Sequence, residues 1–442
     1  MSYSNVIYFC AKVRPAGPAI EKEVRVLDLN EAQTLSSLLN FLRSTGASAR
    51  PDISRATGLS RTLVAKYVDL AMEQGLAMEG DFGTSTGGRA PRLVEFNDKF
   101  GYLLLAELGA SGLSVAVSDL RGNLRDVHSI PIDIADGPEI VLKEVDKAFK
   151  KLMSQNSGIL WGIGIGLPGP VEFSTGLPMS PPIMPGWDRS LVREQFMKTF
   201  DAPVWVDNDV NLMALGEYSL NPNEKNQELI FIKIGSGIGG GIISKGTLHR
   251  GAQGCAGDIG HIAVAEPTNV ICRCGNVGCL EALAGGAALA RDADQAARDS
   301  LSPYLQQQLE KTGAVTGIDV TQGALRGDNW CVDAITRAGQ QIGKILATLV
   351  NFHNPSVIVI GGGVSSAGNL LLASIRQTVY SRSLPLATRD LEIRLGDTGD
   401  RSGLHGAAEM IMSELFSPSI LQQWVQNGSP RLPILYQQSA FA

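Results

Sequence analysis

The chain has 442 residues, of which 44% are apolar and 6% aromatic, and its formal net charge is −6. A chain of this length and composition can bury large cores and is expected to form two or three domains. No apolar run approaches the roughly 18 residues that a membrane helix needs, and the patch VIYFCA near the start lacks the flanks of a signal peptide. We therefore expect a cytoplasmic protein without membrane insertion.

Residues 31–97 carry the pattern of a winged helix-turn-helix domain, which follows a poorly ordered arm predicted for residues 1–30. Leucines at helical spacing predict a first helix that begins at Leu35. A second, short helix, with Ala56 facing inward, is separated from the third by the tight turn TGLS, whose Ser60 caps the third helix. Two strands predicted around the Gly-rich loop TSTGGRAP would form the wing.

Basic residues are concentrated in this predicted domain. Between Phe41 and Lys66 there are five basic residues and one acidic residue, in a chain whose net charge is −6. DNA phosphates attract such a cluster, and a recognition helix reads base edges with polar and cationic side chains near its N-terminus. Arg89, in the segment GGRAP, suits entry into a narrow minor groove. We predict binding to a double-stranded DNA operator through Arg50, Ser60, Arg61, Thr62, Ala65, Lys66 and Arg89.

The segment CRCGNVGCLE places three of the six cysteines within eight residues. Cys272, Cys274 and Cys279 can converge on one tetrahedral zinc ion, with His261 as the nearest candidate for the fourth ligand. Three thiolates and one imidazole form a closed site, so we predict structural zinc. The alternative, unliganded surface thiols, would leave three reactive groups exposed together. The scattered Cys10, Cys255 and Cys331 are predicted to be small buried side chains.

Beyond Asn97, apolar strands alternate with Gly-rich loops, which is typical of an α/β protein. The segment ELIFIKIGSGIGGGIISKG contains the spacing of a dinucleotide-binding loop. That motif requires a helix next, whereas IISKGTL continues as β structure, so NAD binding is excluded. A strand-loop-strand of this kind is instead predicted to place backbone N–H groups against a phosphate.

Three segments resemble the ROK family (repressors, open reading frames and sugar kinases), and more closely its regulators of the xylose-repressor and N-acetylglucosamine-repressor type. They are WVDNDVNLMALGE, GSGIGGGIISKGTLHRGAQGCAGDIGHI and CRCGNVGCLE. The resemblance extends from about Leu35 to about Leu415 and implies an N-terminal winged helix-turn-helix followed by a two-lobed, actin-like (ribonuclease H-like) α/β domain of the sugar-kinase type. It places the first lobe at residues 98–209, completed by 396–442, and the second lobe, with the zinc site, at 210–395.

The resemblance also implies a sugar site in the cleft between the lobes. In the sugar kinases of the family, the Asp of the Asn-Asp pair is the catalytic base, and here it is Asp209. The kinases open this domain with Asp-x-Gly-Gly-Thr, whereas this chain has Glu107-Leu108-Gly109-Ala110-Ser111, in which Ala110 adds a Cβ where the backbone must approach the ATP phosphates. The implied sugar-binding residues are Asn208, Asp209, Asp258, His261 and Glu281.

Two functions follow as hypotheses. The first is a sugar-responsive transcriptional regulator, a repressor of carbohydrate-utilisation genes, that has no catalytic residue and senses a sugar or sugar phosphate. The alternative is an active ATP-dependent sugar kinase with Asp209 as its base. For the regulator, the spacing of DNA half-sites predicts a homodimer or homotetramer, and the linker near Asn97 is predicted to transmit closure of the cleft. The resemblance to glucose-type regulators adds the hypothesis that a phosphotransfer-system protein docks on the C-terminal lobe.

Overall fold

The computed structural model describes residues 27–84, 90–222, 227–264 and 268–427. Residues 27–96 form the head domain, in which three helices pack on a small antiparallel sheet of order β1-β3-β2. Between its second and third helices, Gly58 adopts a left-handed conformation (φ 70°), which allows the tight turn that the sequence predicts. The elements of the head are α1 (Leu29–Thr45), β1 (Ser48–Ala49), α2 (Arg50–Thr57), α3 (Arg61–Glu73), β2 (Ala77–Phe82) and β3 (Arg92–Phe96).

The first helix of the head begins earlier than its leucine pattern predicts. Asp28 caps it by accepting a hydrogen bond from the backbone N–H of Glu31 at 2.8 Å, and Glu31 closes the capping box. Leu27 is already fully buried, so the predicted arm cannot extend to residue 30. Residues 1–26 of the predicted arm lie outside the described residues, and so does Arg89 in the predicted wing loop. The inward orientation predicted for Ala56 is wrong, because α2 is short and Ala56 is exposed.

The first lobe contains a five-stranded sheet of order β10-β7-β4-β5-β6. Strands β10, β7 and β4 are parallel, and β4, β5 and β6 form an antiparallel meander. Apolar side chains on both faces of β4 and β7 are buried, as expected for strands covered by helices. Its elements are β4 (Gly101–Leu108), β5 (Gly112–Ser118), β6 (Leu124–Pro131), α4 (Pro138–Gln155), β7 (Ile159–Leu167), β8 (Val171–Glu172), β9 (Leu177–Pro178), α5 (Val192–Phe200) and β10 (Val204–Asn208).

A single helix, α6 (Asp209–Leu220), leads from the last strand of the first lobe into the second lobe. The second lobe repeats the plan of the first, because its sheet has the order β13-β12-β11-β14-β15, with β11, β14 and β15 parallel. In each lobe an antiparallel three-strand meander is therefore followed by two parallel strands. Its elements are β11 (Leu229–Ile234), β12 (Ile238–Ser244), β13 (Thr247–Leu248), α7 (Leu280–Ala284), α8 (Gly286–Arg298), α9 (Pro303–Thr312), α10 (Gly317–Leu325), α11 (Asn329–His353), β14 (Val357–Gly361), α12 (Asn369–Arg382), α13 (Pro385–Thr388) and β15 (Glu392–Leu395).

The chain then returns to the first lobe through α14 (Ser402–Leu415), which packs on β4, β7 and α6. The next helix, α15 (Pro418–Asn427), lies against α1 of the head. Arg43 in α1 forms two hydrogen bonds of 2.7 Å with the carboxylate of Glu409 in α14, and Ser36 donates to the carbonyl of Phe416. The C-terminal segment thus connects the head to the first lobe, a role that the sequence did not suggest.

The head and the first lobe share one continuous hydrophobic core. Phe416, which is fully buried, contacts the ring of Phe96 in the head edge to face at 5.8 Å and that of Trp161 in the first lobe at 6.3 Å. Such aromatic pairs add to the free energy gained from burial alone. Within the described ranges, no helix is both long enough and apolar enough to cross a membrane.

We predict that Gly406→Ala destabilises the protein, although alanine normally favours a helix by about 1 kcal/mol over glycine. At the crossing of α6 and α14, a Cβ on Gly406 would overlap the carbonyl oxygen of Leu212, and backbone atoms cannot rotate away. Overpacking of this kind outweighs the gain in helix propensity, so we expect a net loss of about 2 kcal/mol or more and a melting temperature several degrees lower. Gly112→Ala, where a Cβ meets open space, is the control. Equal melting temperatures for the two variants would contradict the close helix crossing.

Candidate functional site: an acidic cleft between two lobes

A cavity of about 760 Å³ lies between the two lobes and holds every residue that the sequence assigned to sugar binding. Helix N-termini, strand ends and Gly-rich turns from both lobes form its walls. Its described polar and charged lining includes Glu107, Asn208, Asp209, Lys233, Asp258, His261, Glu281 and Asp400.

Asn208 ends β10 and caps α6. Its side-chain oxygen accepts hydrogen bonds from the backbone N–H groups of Val210 and Asn211, at 2.9 and 3.2 Å, and its amide donates to the carbonyl of Gly169 at 2.9 Å. Asparagine is among the best capping residues, so the local role of Asn208 is structural. The cap fixes Asp209, the first residue of the helix, at the floor of the cleft, where it is only 3% exposed.

Asp209 is paired with a lysine that the sequence analysis missed. The ammonium group of Lys233, in β11 of the second lobe, forms a short hydrogen-bonded ion pair with the Asp209 carboxylate. Burial lowers the pKa of Lys233, but the carboxylates of Asp209 and Glu107 outweigh this effect and raise it overall, so the lysine stays charged. The sequence signal that could have identified Lys233 is its position inside the apolar strand LIFIKI, because lysine is rarely buried without a partner.

Glu107, at the end of β4, faces the same pair. Its carboxyl group packs against Gly403 at the beginning of α14, and its Oε2 atom accepts no hydrogen bond from any residue that the structure describes. Burial raises the pKa of Glu107 to about 7; the charge of Lys233 opposes this shift, and Asp209 and Asp400 reinforce it. The end of β4 thus presents a carboxyl group to the cleft.

A second group of polar side chains lies on the second-lobe side of the cleft. His261 Nε2 is 3.9 Å from Asp258 Oδ1, and Glu281 lies in the first turn of α7. Burial raises the pKa of Asp258, His261 opposes the shift, and Glu281 adds to it. Together with Asp209, these carboxylates provide acceptors for several hydroxyl groups, which is the chemistry that a polyol requires.

The four predicted metal ligands come together. The ligand atoms of His261, Cys272, Cys274 and Cys279 all lie within 4.8 Å of one another. His261 directs Nδ1 towards Cys272 Sγ at 3.6 Å, while its Nε2 faces the cleft. Donors of three thiols and one imidazole at this spacing fit a tetrahedral zinc ion.

The loop that carries the cysteines has the geometry of a tight knuckle. The backbone N–H of Gly275 (φ 92°) donates to the carbonyl of Cys272 at 2.9 Å, which folds Cys274 back towards the cluster. Burial raises the pKa of Cys272 to about 12, so this thiol is protonated when no cation is present. Binding of a metal ion would therefore release a proton. Of the remaining cysteines, Cys331 is buried as predicted, whereas Cys255 is exposed, contrary to the prediction.

A further ion pair connects the lobes at Asp207, the residue before Asn208 in β10. Asp207, which is almost fully buried, accepts a hydrogen bond from Arg250 Nε at 2.7 Å. The guanidinium group of Arg250 stacks on the ring of Phe173 in the first lobe, 3.7 Å from its centroid. A buried carboxylate is retained in folded proteins when it is paired in this way. No local pattern predicts this pairing, because residues 207 and 250 are far apart along the chain.

Of the predicted DNA-binding residues that the structure describes, two form ion pairs within the head. Lys66 pairs with Glu31 at 2.6 Å, and Arg50 pairs with Asp69 at 3.2 Å. Ser60 caps α3 by accepting from the N–H of Leu63 at 3.3 Å. Arg61 and Thr62 are exposed at the N-terminus of α3, and Ala65 is half-buried.

Two lobes with duplicated sheet topology, an acidic cleft between them and a helix-turn-helix head define an actin-like, sugar-kinase-type protein with an added DNA-binding-type domain. The chain belongs to the ROK family, whose family model matches residues 105–414. The predicted family and the predicted α/β fold class are thereby confirmed.

Both kinds of ROK protein are among the similar proteins. The xylose repressor of Caldicellulosiruptor bescii is 31% identical over 374 residues, which cover 84% of this chain and 92% of the repressor. A second similar protein is a ROK family transcriptional regulator, a homologue of the E. coli MLC protein, whose crystal structure is known. Its sequence is 25% identical to this chain, and the two structures align with a TM-score of 0.76 over 90% of this chain and 100% of that chain. A ROK family glucokinase from Streptomyces griseus, in complex with glucose and AMPPNP, is 27% identical and aligns with a TM-score of 0.63 over 70% of this chain and 99% of that chain.

The raised pKa of Glu107 predicts a dependence of stability on pH. In the unfolded chain this carboxyl group titrates near pH 4.5, and in the folded protein near pH 7. Between these values the folded state retains a proton that the unfolded state has lost, so the free energy of unfolding falls as the pH rises. Glu107→Gln cannot lose this proton. We therefore expect the variant to gain stability relative to the wild type from pH 5 to pH 8, by at most about 3 kcal/mol.

Urea unfolding at the two pH values measures this difference. Glu310→Gln, an exposed position on α9 outside the cleft, is the control and should show the same difference from the wild type at both pH values. A Glu107→Gln difference that does not change with pH would contradict the assignment of a buried, protonated carboxyl group.

Proposed function

We propose that this protein is a sugar-responsive, DNA-binding transcriptional regulator that represses carbohydrate-utilisation genes, with the former kinase cleft as its sensor. The observation that carries the proposal is a physical connection between cleft and head. Helix α14 meets Glu107 of the cleft at Gly403 near its N-terminus, and six residues later Glu409 holds Arg43 of the head. Similarity to a xylose repressor over 84% of this chain, and to a transcriptional regulator of known structure over 90% of it, supports the same conclusion.

The connection replaces the linker near Asn97 as the proposed route of the signal. Binding of a sugar between Asp209 in α6 and the second-lobe acceptors Asp258, His261 and Glu281 would favour closure of the cleft. Because α6 crosses α14 in backbone contact, and α14 and α15 hold α1, the head and the first lobe would move together as one body. In a homodimer or homotetramer, closure would then change the spacing of two recognition helices relative to DNA half-sites about one helical turn, or a multiple of it, apart.

The second candidate, an ATP-dependent sugar kinase, is favoured by the retained Asp209 and by similarity to glucokinases. Two observations weigh against it. The ion pair with Lys233 occupies the Asp209 carboxylate, which would have to accept the proton of a sugar hydroxyl. In the loop that would approach ATP, Glu107 adds a carboxyl group and Ala110 adds a Cβ. We therefore assign no catalytic residue.

Zinc is proposed as a structural cofactor held by His261, Cys272, Cys274 and Cys279. When bound, it supplies a rigid tetrahedral junction and no open coordination position. The junction would fix the ring of His261, so that Nε2 stays directed towards the cleft beside Asp258. Metal binding and sugar binding would thereby be coupled through one imidazole.

For zinc we predict that Cys279→Ala lowers the affinity for the metal more than about 100-fold, because one of four ligands is lost. Cys331→Ala removes an equally buried thiol outside the cluster and is the matched control. Metal analysis of the purified chains should give one zinc per chain for the wild type and the control, and almost none for Cys279→Ala. The variant should also lose sugar-dependent changes in operator binding. A metal-free variant that responds fully to sugar would contradict the coupling.

For DNA we predict that Arg61→Ala weakens operator binding about tenfold or more and reduces the dependence on salt, because Arg61 is an exposed cation at the N-terminus of the recognition helix α3. Duplexes selected by the wild-type protein from a random pool provide the operator for fluorescence anisotropy at several salt concentrations. Arg298→Ala, on α8 of the second lobe, is the control and should leave both quantities unchanged.

The same preparation separates the two candidate functions. Incubated with ATP and a panel of hexoses, pentoses and amino sugars, the wild-type protein should release no ADP above background. Sustained ADP release without operator binding at low salt would contradict the proposed regulator and support the sugar kinase.

A further inference from the structure

We propose that Arg121 is a positioning residue that caps helix α1 of the head from the first lobe and thereby fixes the spacing of DNA half-sites that the protein accepts. The inference rests on the proposed function and deepens it, because it names a side chain on which the orientation of the recognition helix depends. It follows from the hydrogen bonds of Arg121, from the bracing of the turn that carries it and from the place of the capped helix end in the head.

Arg121 lies in the turn between β5 and β6 of the first lobe, and its guanidinium group reaches the C-terminal end of α1. Its Nη1 donates to the carbonyl of Arg43 at 2.5 Å and to that of Leu42 at 3.3 Å. The last four carbonyls of a helix have no partner within the helix, and a cation placed there also interacts favourably with the helix dipole. Arg121 thus supplies a C-terminal cap for α1 from a different domain.

The guanidinium group of Arg121 is held in a fixed orientation. Its Nε donates to the carboxylate of Asp98, between the head and the first lobe, at 3.0 Å. Its central carbon lies 5.7 Å from the centroid of the ring of Phe96, the last residue of β3. Only 21% of the Arg121 side chain is exposed, so solvent screens these interactions less than those of a surface ion pair. The planar fork of arginine can satisfy two carbonyls and one carboxylate together, which the single ammonium group of a lysine does not match.

The turn that carries Arg121 is braced by its own side chains. The carboxylate of Asp119 accepts hydrogen bonds from the backbone N–H groups of Arg121 and Asn123, at 2.9 and 3.0 Å, and from the side-chain amide of Asn123 at 2.9 Å. Aspartate often stabilises a turn in this way. At Gly122 the turn lies against α14, because a Cβ there would be 3.7 Å from the Cβ of Ala408. Arg121 therefore extends towards the head from a support that rests on α14.

The capped end of α1 leads directly into the predicted DNA-reading part of the head. After α1 ends at Thr45, Gly46 (φ 81°) turns the chain into β1, whose Ala49 is the N-cap residue of α2. Helix α2 begins with Arg50, a predicted DNA contact, and α3 packs on both α1 and α2. Because packed helices resist small displacements relative to one another, a rotation of α1 against the first lobe carries α3 with it.

The capping contact opposes such a rotation. The polar attachments described above, from Arg43 and Ser36, both end on the C-terminal segment, whereas Arg121 reaches α1 from a separate element of the lobe. In a dimer, the distance and rotation between the two copies of α3 determine which half-site spacing fits. One additional base pair moves the second half-site by about 3.4 Å along the DNA and by about 35° around it. A head fixed from two sides cannot follow that change, whereas a head without the cap can.

The test varies the half-site spacing of a duplex that the full-length wild-type protein has selected from a random pool. One or two base pairs are inserted between the half-sites or removed, and affinity is measured by fluorescence anisotropy. We expect the wild type to lose affinity about tenfold or more for each such change. Arg121→Ala should bind the selected duplex more weakly, because its heads must be ordered on binding, and should lose less than about threefold when the spacing changes by one base pair. A merely structural role of Arg121 would lower affinity for all spacings alike.

Two further variants separate the cap from charge and from folding. Arg125→Ala removes an exposed cation from β6, four residues further along the chain, and should keep the spacing preference of the wild type. Arg121→Met keeps most of the length of the side chain against Phe96 and removes the hydrogen bonds, so it replaces Arg121→Ala if that variant does not fold. It should show the same tolerance of altered spacing.

The failures of the inference and of the proposed function are distinguishable. If the wild type selects one spacing and the Arg121 variants select it equally sharply, the inference is overturned while the regulator stands. The same holds if the selected duplex contains no pair of half-sites, or if the wild type is indifferent to their spacing. If the wild type binds no duplex at low salt, the proposed function fails, and the inference fails with it.

Discussion

The architecture depends on one buried helix, α6, which lies between the two sheets and is in backbone contact with both sides. On the first-lobe side, Gly406 of α14 lies against the carbonyl of Leu212, and on the second-lobe side Gly241 of β12 lies against that of Val210. Nine of its twelve residues are buried, so it has no solvent face along which it could slide. Because packed interiors resist small displacements, a change at one end of α6 must move its neighbours. Asp209 stands at the end that faces the cleft.

The ion pair at that end gives the cleft its chemical character. A carboxylate as buried as that of Asp209 would be costly without a partner, and Lys233 provides the partner from the opposite lobe. The pair therefore stabilises the cleft and also removes the free carboxylate on which phosphoryl transfer to a sugar would depend. Glu107 takes part in the same network: burial raises its pKa, the charge of Lys233 opposes the shift, and Asp209 and Asp400 reinforce it. In the proposed regulator, the loss of catalysis and the retention of polyol binding would have the same electrostatic origin.

Local patterns in the sequence were sufficient for much of the fold and for part of the site. Helical leucine spacing, the TGLS turn and the cysteine spacing identified the head and the metal cluster, because each depends on neighbours within a few residues. The groups that couple these parts could not be predicted in this way. Lys233 with Asp209, Arg250 with Asp207 and Arg43 with Glu409 join residues far apart in the chain. Even Lys66, predicted correctly to lie on the surface of the head, pairs with Glu31, which the pattern had placed before the first helix.

The way in which the head is attached to the first lobe determines how a change in the cleft could reach the head. A head on a flexible linker would reorient freely, and closure of the cleft would reach it only as a weak average. Here Arg43, Ser36 and Phe416 fix the head to the lobe by a half-buried ion pair, a buried hydrogen bond and aromatic packing. In the proposed mechanism, the free energy of sugar binding would act on one coordinate, the angle between the lobes, and closure would move α3 together with the first lobe. Since a ligand shifts an equilibrium only by its differential affinity for the two states, a sugar in the proposed regulator would bias that angle through the carboxylates that face each other across the cleft.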